Sequence, residues 1–490
     1  MFHRFTAKFS SFSLLVMLAL FACTPPLDVE TRIQIALDNE QRGESVAALL
    51  ELKNILQSDP DHLRTLTLLG RLSTEVGQSA EAVEYLSRAR KLGATGPEIS
   101  ESLGKALLAQ GQFERLLAEL KTRPSASANS NANIELLRGE ALLGLGRLDE
   151  AEDAFRRVGA EQSTAATGLT GEARAAIFRE QYDEAEKLIN LALEKDPFSV
   201  AAFRALGSLR HKQERFAEAE SAFISAVEAT TIRQASDELL LARVGLAESQ
   251  WRMGEKGKAL GNVKDLLDAY PWHPLPLYLR ALFSYDSGEY RMATEYLREV
   301  RLAVPSHRPS QQLMAASEFE LGRYSNVEQL LRDYLKDEPD DIEMRRLLAR
   351  THLQMGNPTG ALATLLPVVN LAPQDAGFLA LLGRASLHSG DAELAATYLE
   401  RAIENAPDDD DIRVSLIVAQ IGAGKTDSAE QNLAKLPDNP ATQRARSLLE
   451  LVLLMRKAEN ERALLYAKQL RQSVPANLHA MLALAELAET

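Results

Sequence analysis

The feature that most constrains this chain is a period. From about Val29 onwards one unit recurs: an apolar-periodic helix, a turn often carrying glycine, a second helix centred on a small residue, and often a proline. With the small residue of the second helix as marker, Ala48, Ala82, Leu116, Ala151, Ala185 and Ala219 follow at steps of 34, 34, 35, 34 and 34. A step of 40 then leads to Ala259, and six further steps of 34 end at Ala463. Such a chain cannot close round one central core. A lone helical hairpin leaves an apolar face uncovered, so each must stack on the next, and the core becomes a ribbon running along the chain. The expectation is an all-α stack of about thirteen helix-turn-helix units, which overrides the several ordinary domains that 490 residues would otherwise suggest.

Within the eleventh unit, Gly383, Gly390, Ala395, Leu399, Ala402 and Pro407 occupy positions 8, 15, 20, 24, 27 and 32. Small residues at 8 and 20 let two helices approach closely, glycine at 15 supplies a left-handed turn residue, and proline at 32 stops the second helix. Pro60, Pro197, Pro271 and Pro339 repeat that last position. The set resembles the tetratricopeptide repeat, which implies a right-handed superhelical solenoid. Leu478 to Glu489 reads as one more first-type helix, so residues 476–490 are expected to form a C-terminal cap. Two places break the rhythm. Thr122 to Ser127, with the Asn-rich run on to Asn133, has a loop composition, and the long step adds six residues around Ala229 to Ser236, read as a second loop or hinge. The array is accordingly read as repeats one to six over residues 29–235 and repeats seven to thirteen over 236–475.

Residues 1–22 differ from the rest. Arg4 and Lys8 are their only charges, and an apolar run from Leu14 to Ala22 follows, ending at Cys23. A positive start, a short apolar core and a small residue before the cut make a secretory signal, and the run is too short to cross a bilayer. Leu20-Phe21-Ala22-Cys23 resembles the lipobox of bacterial lipoproteins. That resemblance implies a lipid-modified Cys23 as first mature residue, with residues 23–28 as a tether. An ordinary signal that happens to contain a cysteine is the alternative. Cys23 is the only cysteine in the chain, which excludes an internal disulfide and any CxxC motif. Thr24 stands where proteobacterial lipoproteins kept at the inner membrane commonly carry aspartate, which favours the periplasmic face of the outer membrane.

Loss of Arg4 and Lys8 with the signal takes the formal charge from −14 to −16, and so acidic a chain repels nucleic-acid phosphates. Gly422-Ala423-Gly424-Lys425-Thr426 ends like a phosphate-binding loop, but Ala419 replaces the required first glycine and Gly424 falls on the turn position of its repeat. None of the eight histidines pairs with another at a metal-ligand spacing. Asp408 to Asp411 follow Pro407 and open the next helix, where acids suit the helix dipole. No serine elbow, kinase loop or dinucleotide fingerprint is present. The chain is read as a non-enzyme, with no catalytic residues, no metal site and no cofactor.

In repeats of the tetratricopeptide type the first helix lines the concave side, with positions 2, 5, 9 and 12 pointing inward. Units seven to nine place Leu241, Val244, Trp251, Leu275, Tyr278, Leu282, Tyr285 and Phe319 there, and units ten and eleven add Arg346, Arg350 and Arg384. Aromatic residues beside guanidinium groups on an acidic protein suit a peptide, an acidic partner segment or a sugar polymer. One residue of register away, the same rings would pack the inter-repeat core instead.

Gly43-Glu44-Ser45, Leu52-Lys53-Asn54, Asp59-Pro60, the run Ala106-Leu107-Leu108-Ala109-Gln110-Gly111, and Leu381-Leu382-Gly383-Arg384-Ala385 resemble the PrsT family of lipoproteins. These are tetratricopeptide proteins associated with bacterial PEP-CTERM/exosortase sorting and exopolysaccharide production. The resemblance implies a lipid-anchored scaffold that holds cell-envelope proteins, with a polysaccharide chain as a further candidate partner. The alternative is an outer-membrane lipoprotein for pilus or secretin assembly.

Overall fold

The computed structural model describes residues 28–120, 128–233 and 236–473. The signal, Cys23 and the cap expected at 476–490 lie outside the described residues. Among the described residues twenty-six α-helices pair as thirteen successive hairpins, the first Val29–Gln41 with Ser45–Ser58 and the last Gln443–Arg456 with Asn460–Ser473. No strand occurs among the described residues. The chain forms two compact units, Met1–Ser310 and Gln311–Thr490.

Hairpin eleven, Ala376–His388 and Ala392–Asn405, shows how sequence sets the unit. Asp375 caps its first helix by accepting from the Phe378 amide at 2.9 Å, and Asp391 caps its second by accepting from Leu394 at 2.9 Å. Between them Gly390 takes φ +87°, and the Asp391 amide returns to the Ser386 carbonyl at 3.0 Å. Ten hairpin turns put glycine at this left-handed residue, while Glu180, Glu214 and Ala458 take it in the other three. At position 8, a Cβ on Gly383 would lie 2.4 Å from Leu399 Cγ, so only glycine lets that buried leucine nest in its own hairpin. A larger ring needs two such gaps. Phe155 is held between Gly139 and Gly171, and Phe223 between Gly207 and Gly245.

Thr122 to Ser127 and residues 234–235 lie outside the described residues, but what is described of each interruption departs from the loop reading. Asn129, Asn131 and Asn133 belong to a helix, Ala128–Gly144. Ile134, Leu137 and Ala141 anchor that helix on a core with Leu103 and Leu107, and extending an anchored helix costs far less than starting one. The Asn133 side-chain amide also donates to Glu101 at 3.1 Å. The extra residues of the long step lengthen two helices, Phe216–Arg233 with 18 residues and Ser236–Arg252 with 17. Ala226 and Ala229 give the added turn an apolar face to bury against Val200 and Ala242.

Candidate binding face

Side chains one repeat apart meet along the first helices. In the unit Met1–Ser310, Arg64 pairs with Glu30, Arg174 with Glu140, and Arg204 with Glu238 at 2.7 Å, each across 34 residues. Arg71 holds both oxygens of Glu40, at 2.6 and 2.7 Å, and reaches Glu75 at 2.8 Å, so its guanidinium is stabilised far into the charged form. His211 continues the line. Its Nε2 lies 2.6 Å from Ser249 Oγ, and burial lowers its pKa against the opposing pull of Glu248.

The expected aromatic residues of this unit are each engaged with a neighbouring ring. Trp251 is buried, stacked on Phe283 with centroids 4.1 Å apart and planes 5° off parallel, and its indole N–H donates to Asp286 at 3.0 Å. Its ring is packing between hairpins seven and eight. Tyr278 is half-buried, edge-on to His307 at 5.1 Å, and burial raises its phenol. Tyr285, also half-buried, meets Tyr290 edge-on at 5.3 Å.

The unit Gln311–Thr490 keeps more of its face free. The Arg350 guanidinium lies 4.7 Å over the half-buried Phe319 ring and is exposed. Arg346 bridges Glu343 at 3.0 Å and Asp375 at 3.3 Å, and lies over Gly377, where a Cβ would come within 2.8 Å of its Nη2. Arg384 is exposed, and neither it nor Arg350 has a carboxylate partner among the described residues. Beyond Arg384 the same positions turn apolar: Val418 is 41% exposed, and Val414, Leu448 and Val452 are half-buried. Reading positions 2, 5, 9 and 12 through units twelve and thirteen would have found these residues, which the aromatic and Arg signal passed over.

The phosphate-loop lookalike is a hairpin turn, with Gly424 at φ +73°, the Lys425 amide donating to the Gln420 carbonyl at 2.8 Å, and Lys425 Nζ paired with Glu393 at 2.8 Å. In the acidic run, Asp409 accepts from the Ile412 amide at 2.9 Å and caps its helix.

Residues 318–385 and 386–452 match one family model described as a tetratricopeptide repeat, and residues 170–235 match another of the same description. Similar solved structures include the APC/C hetero-tetramer Cut9–Hcn1, with 16% identity, 98% of this chain and 99% of that one covered, and TM-score 0.41. A tetratricopeptide repeat protein from Parabacteroides merdae shows 20% identity, covering 52% of this chain and 98% of its own, with TM-score 0.38. MamA from Desulfovibrio magneticus shows 18% identity, covering 34% and 95%, with TM-score 0.33. No curated protein matches the chain significantly. The successive helical hairpins and the matched repeats make this an all-α solenoid of the tetratricopeptide type. Solenoids of this class offer extended surfaces on which other proteins bind.

Proposed function

We propose that the chain is a lipid-anchored scaffold at the periplasmic face of the outer membrane, which holds protein partners of an exopolysaccharide-export or PEP-CTERM sorting system. It grips them through the first-helix face of hairpins nine to thirteen. The observation that carries the choice of face is the pair Arg350 and Arg384, exposed and without carboxylate partners among the described residues. An extended acidic segment would give each guanidinium a bidentate partner, while Phe319 and the apolar positions beyond Arg384 accept its side chains. The anchor and the envelope setting rest on the Leu20–Cys23 motif and on the PrsT-like motifs.

Two experiments test this reading. A fluorescein-labelled Glu-rich peptide should bind the wild type and lose roughly 100-fold in affinity to Arg350→Glu with Arg384→Glu, as expected for two charge-assisted contacts. Equal binding at unchanged helicity rejects the face. Cys23→Ala should abolish fatty-acid labelling and release the protein from membranes. A variant that stays fully membrane-bound rejects the anchor.

A further inference from the structure

Eight of the ten glycines at hairpin turns have open space where a Cβ would go. Gly77 does not: a Cβ there would lie 2.6 Å from Cδ2 and 2.9 Å from Cα of His273. One hairpin along, Ser306 Oγ donates to the Gln110 carbonyl, 196 residues away, and the same interval separates Gly77 from His273. Within the unit Met1–Ser310, therefore, the turns of hairpins two and three rest on the linkers that precede hairpins eight and nine, in one register.

Beside this seam lies a cleft of about 150 Å³. Ala80 and Glu81 face it from hairpin two, and Trp272, Leu277, Glu299 and Leu302 from the other side. Its volume is well under the roughly 300–1,000 Å³ of sites for drug-sized ligands, so it suits a single long side chain. The walls are apolar and still wet, with Leu302 73% and Trp272 39% exposed. Two carboxylates stand at the cleft. Glu81 already pairs with Lys53 at 2.7 Å, whereas Glu299 is exposed and has no partner among the described residues. An apolar slot with an indole face and a free carboxylate matches a side chain with a hydrocarbon stem and a cationic tip. Glu299 gives this slot the charge complementary to a cationic tip.

We propose that this cleft binds a lysine side chain from a basic partner segment, its stem against Trp272, Leu277 and Leu302 and its ammonium at Glu299. The site is independent of the Arg-lined face: it lies in the other unit and takes the opposite charge. Because its walls come from hairpin two and from hairpin eight with its preceding linker, it exists only while the seam is closed.

The chain has two tryptophans, so full-length protein carrying 5-fluorotryptophan gives two fluorine resonances, which Trp251→Phe assigns. Titration with acetyl-Ala-Lys-Ala-amide should shift the Trp272 resonance saturably, and the norleucine analogue should not. Glu299→Gln should weaken the response about 10-fold at unchanged far-UV circular dichroism, the loss of one charge-assisted contact. Gly77→Val should abolish the response, and Gly254→Val, which carries the same backbone strain but meets no neighbour, should retain it. The proposal is overturned if the norleucine peptide shifts Trp272 equally, if Glu299→Gln responds like the wild type, or if no shift occurs.

Discussion

In the unit Met1–Ser310, Arg64, Arg71, Arg174 and Arg204 each find a carboxylate on a neighbouring hairpin, whereas in Gln311–Thr490 Arg350 and Arg384 find none among the described residues. Both units use the same hairpin. Positions 8, 15, 20 and 24 fix how two helices meet and turn, and they leave the first-helix face free to vary. A face that pairs with itself gains little stability, because exposed ion pairs contribute about 0–1 kcal/mol each, but it has no charge left for a ligand. A face left unpaired costs folding almost nothing while it stays hydrated, and it remains available. The difference between the units is thus one of binding capacity more than of stability.

The largest effect expected from a single substitution lies in the packing of the first unit. Phe155 is fully buried between Gly139 and Gly171, so Phe155→Ala leaves a cavity that neighbouring glycines cannot fill and should cost about 3–5 kcal/mol. Hydrogen exchange should lose protection in hairpins four and five first, since each repeat contacts mainly its neighbours. An equal loss in hairpins ten to twelve would show that the two units unfold together.

Acid should come next and should also act unevenly. Burial lowers the pKa of His211, His273 and His307 in the first unit, His273 to about 4, and of His352 alone among the described residues of the second. Unfolded histidine titrates near pH 6.5, so the unfolded chain takes up protons that the folded one refuses. The stability these groups contribute is fully present above about pH 6.5 and falls as pH drops towards 4, by roughly 2–3 kcal/mol at most for His273. Its neutral Nδ1 also accepts from the Leu275 amide at 3.3 Å, a cap that protonation removes. Hydrogen exchange at pH 7 and pH 5 should show the first unit loosening more, and uniform loosening would contradict the assignment.

How much of this could be read beforehand follows from the same positions. The period, the turn glycines and the buried alanines are local and strongly patterned, so the hairpins and the dismissal of the Gly422 to Thr426 lookalike were legible. The helical parts of the two interruptions were not, because Asn129 to Asn133 are weak helix formers carried by a helix that Ile134, Leu137 and Ala141 anchor, and Ala226 and Ala229 anchor the lengthened helix in the same way. Trp251 stands at a position that faces inward in the repeat, and periodicity alone does not decide between the groove and the inter-repeat core. Its burial depends on Phe283 and Asp286, one hairpin away, which periodicity does not register. The seam at Gly77 and His273 depends on a contact between distant repeats and carries no local signal at all.

A sharper test of the two faces compares arginines at one repeat position. Arg174 and Arg384 both stand at position 9, one paired with Glu140 and the other with no partner among the described residues. Arg174→Met should cost about 0.5–1 kcal/mol in urea unfolding at low salt and less at high salt, while Arg384→Met should stay within about 0.5 kcal/mol of the wild type. Equal costs would mean that the unpaired face is a structural one after all.

The smallest effect tests whether the units also differ in their turns. Glu214 occupies the left-handed turn residue at φ +58° in the first unit, and Ala458 does so at +58° in the second. A side chain at that angle costs roughly 1–2 kcal/mol, whereas glycine adopts it freely but adds unfolded-state entropy worth about 0.4–1 kcal/mol. The first effect wins by a small margin, so Glu214→Gly and Ala458→Gly should each raise stability by about 0.5 kcal/mol. The converse substitution Gly146→Ala meets open space, so the same balance applies in reverse and it should lose about 0.5 kcal/mol. Equal gains at Glu214 and Ala458 would confine the difference between the units to their first-helix faces, and a gain in only one would place part of it in the turns.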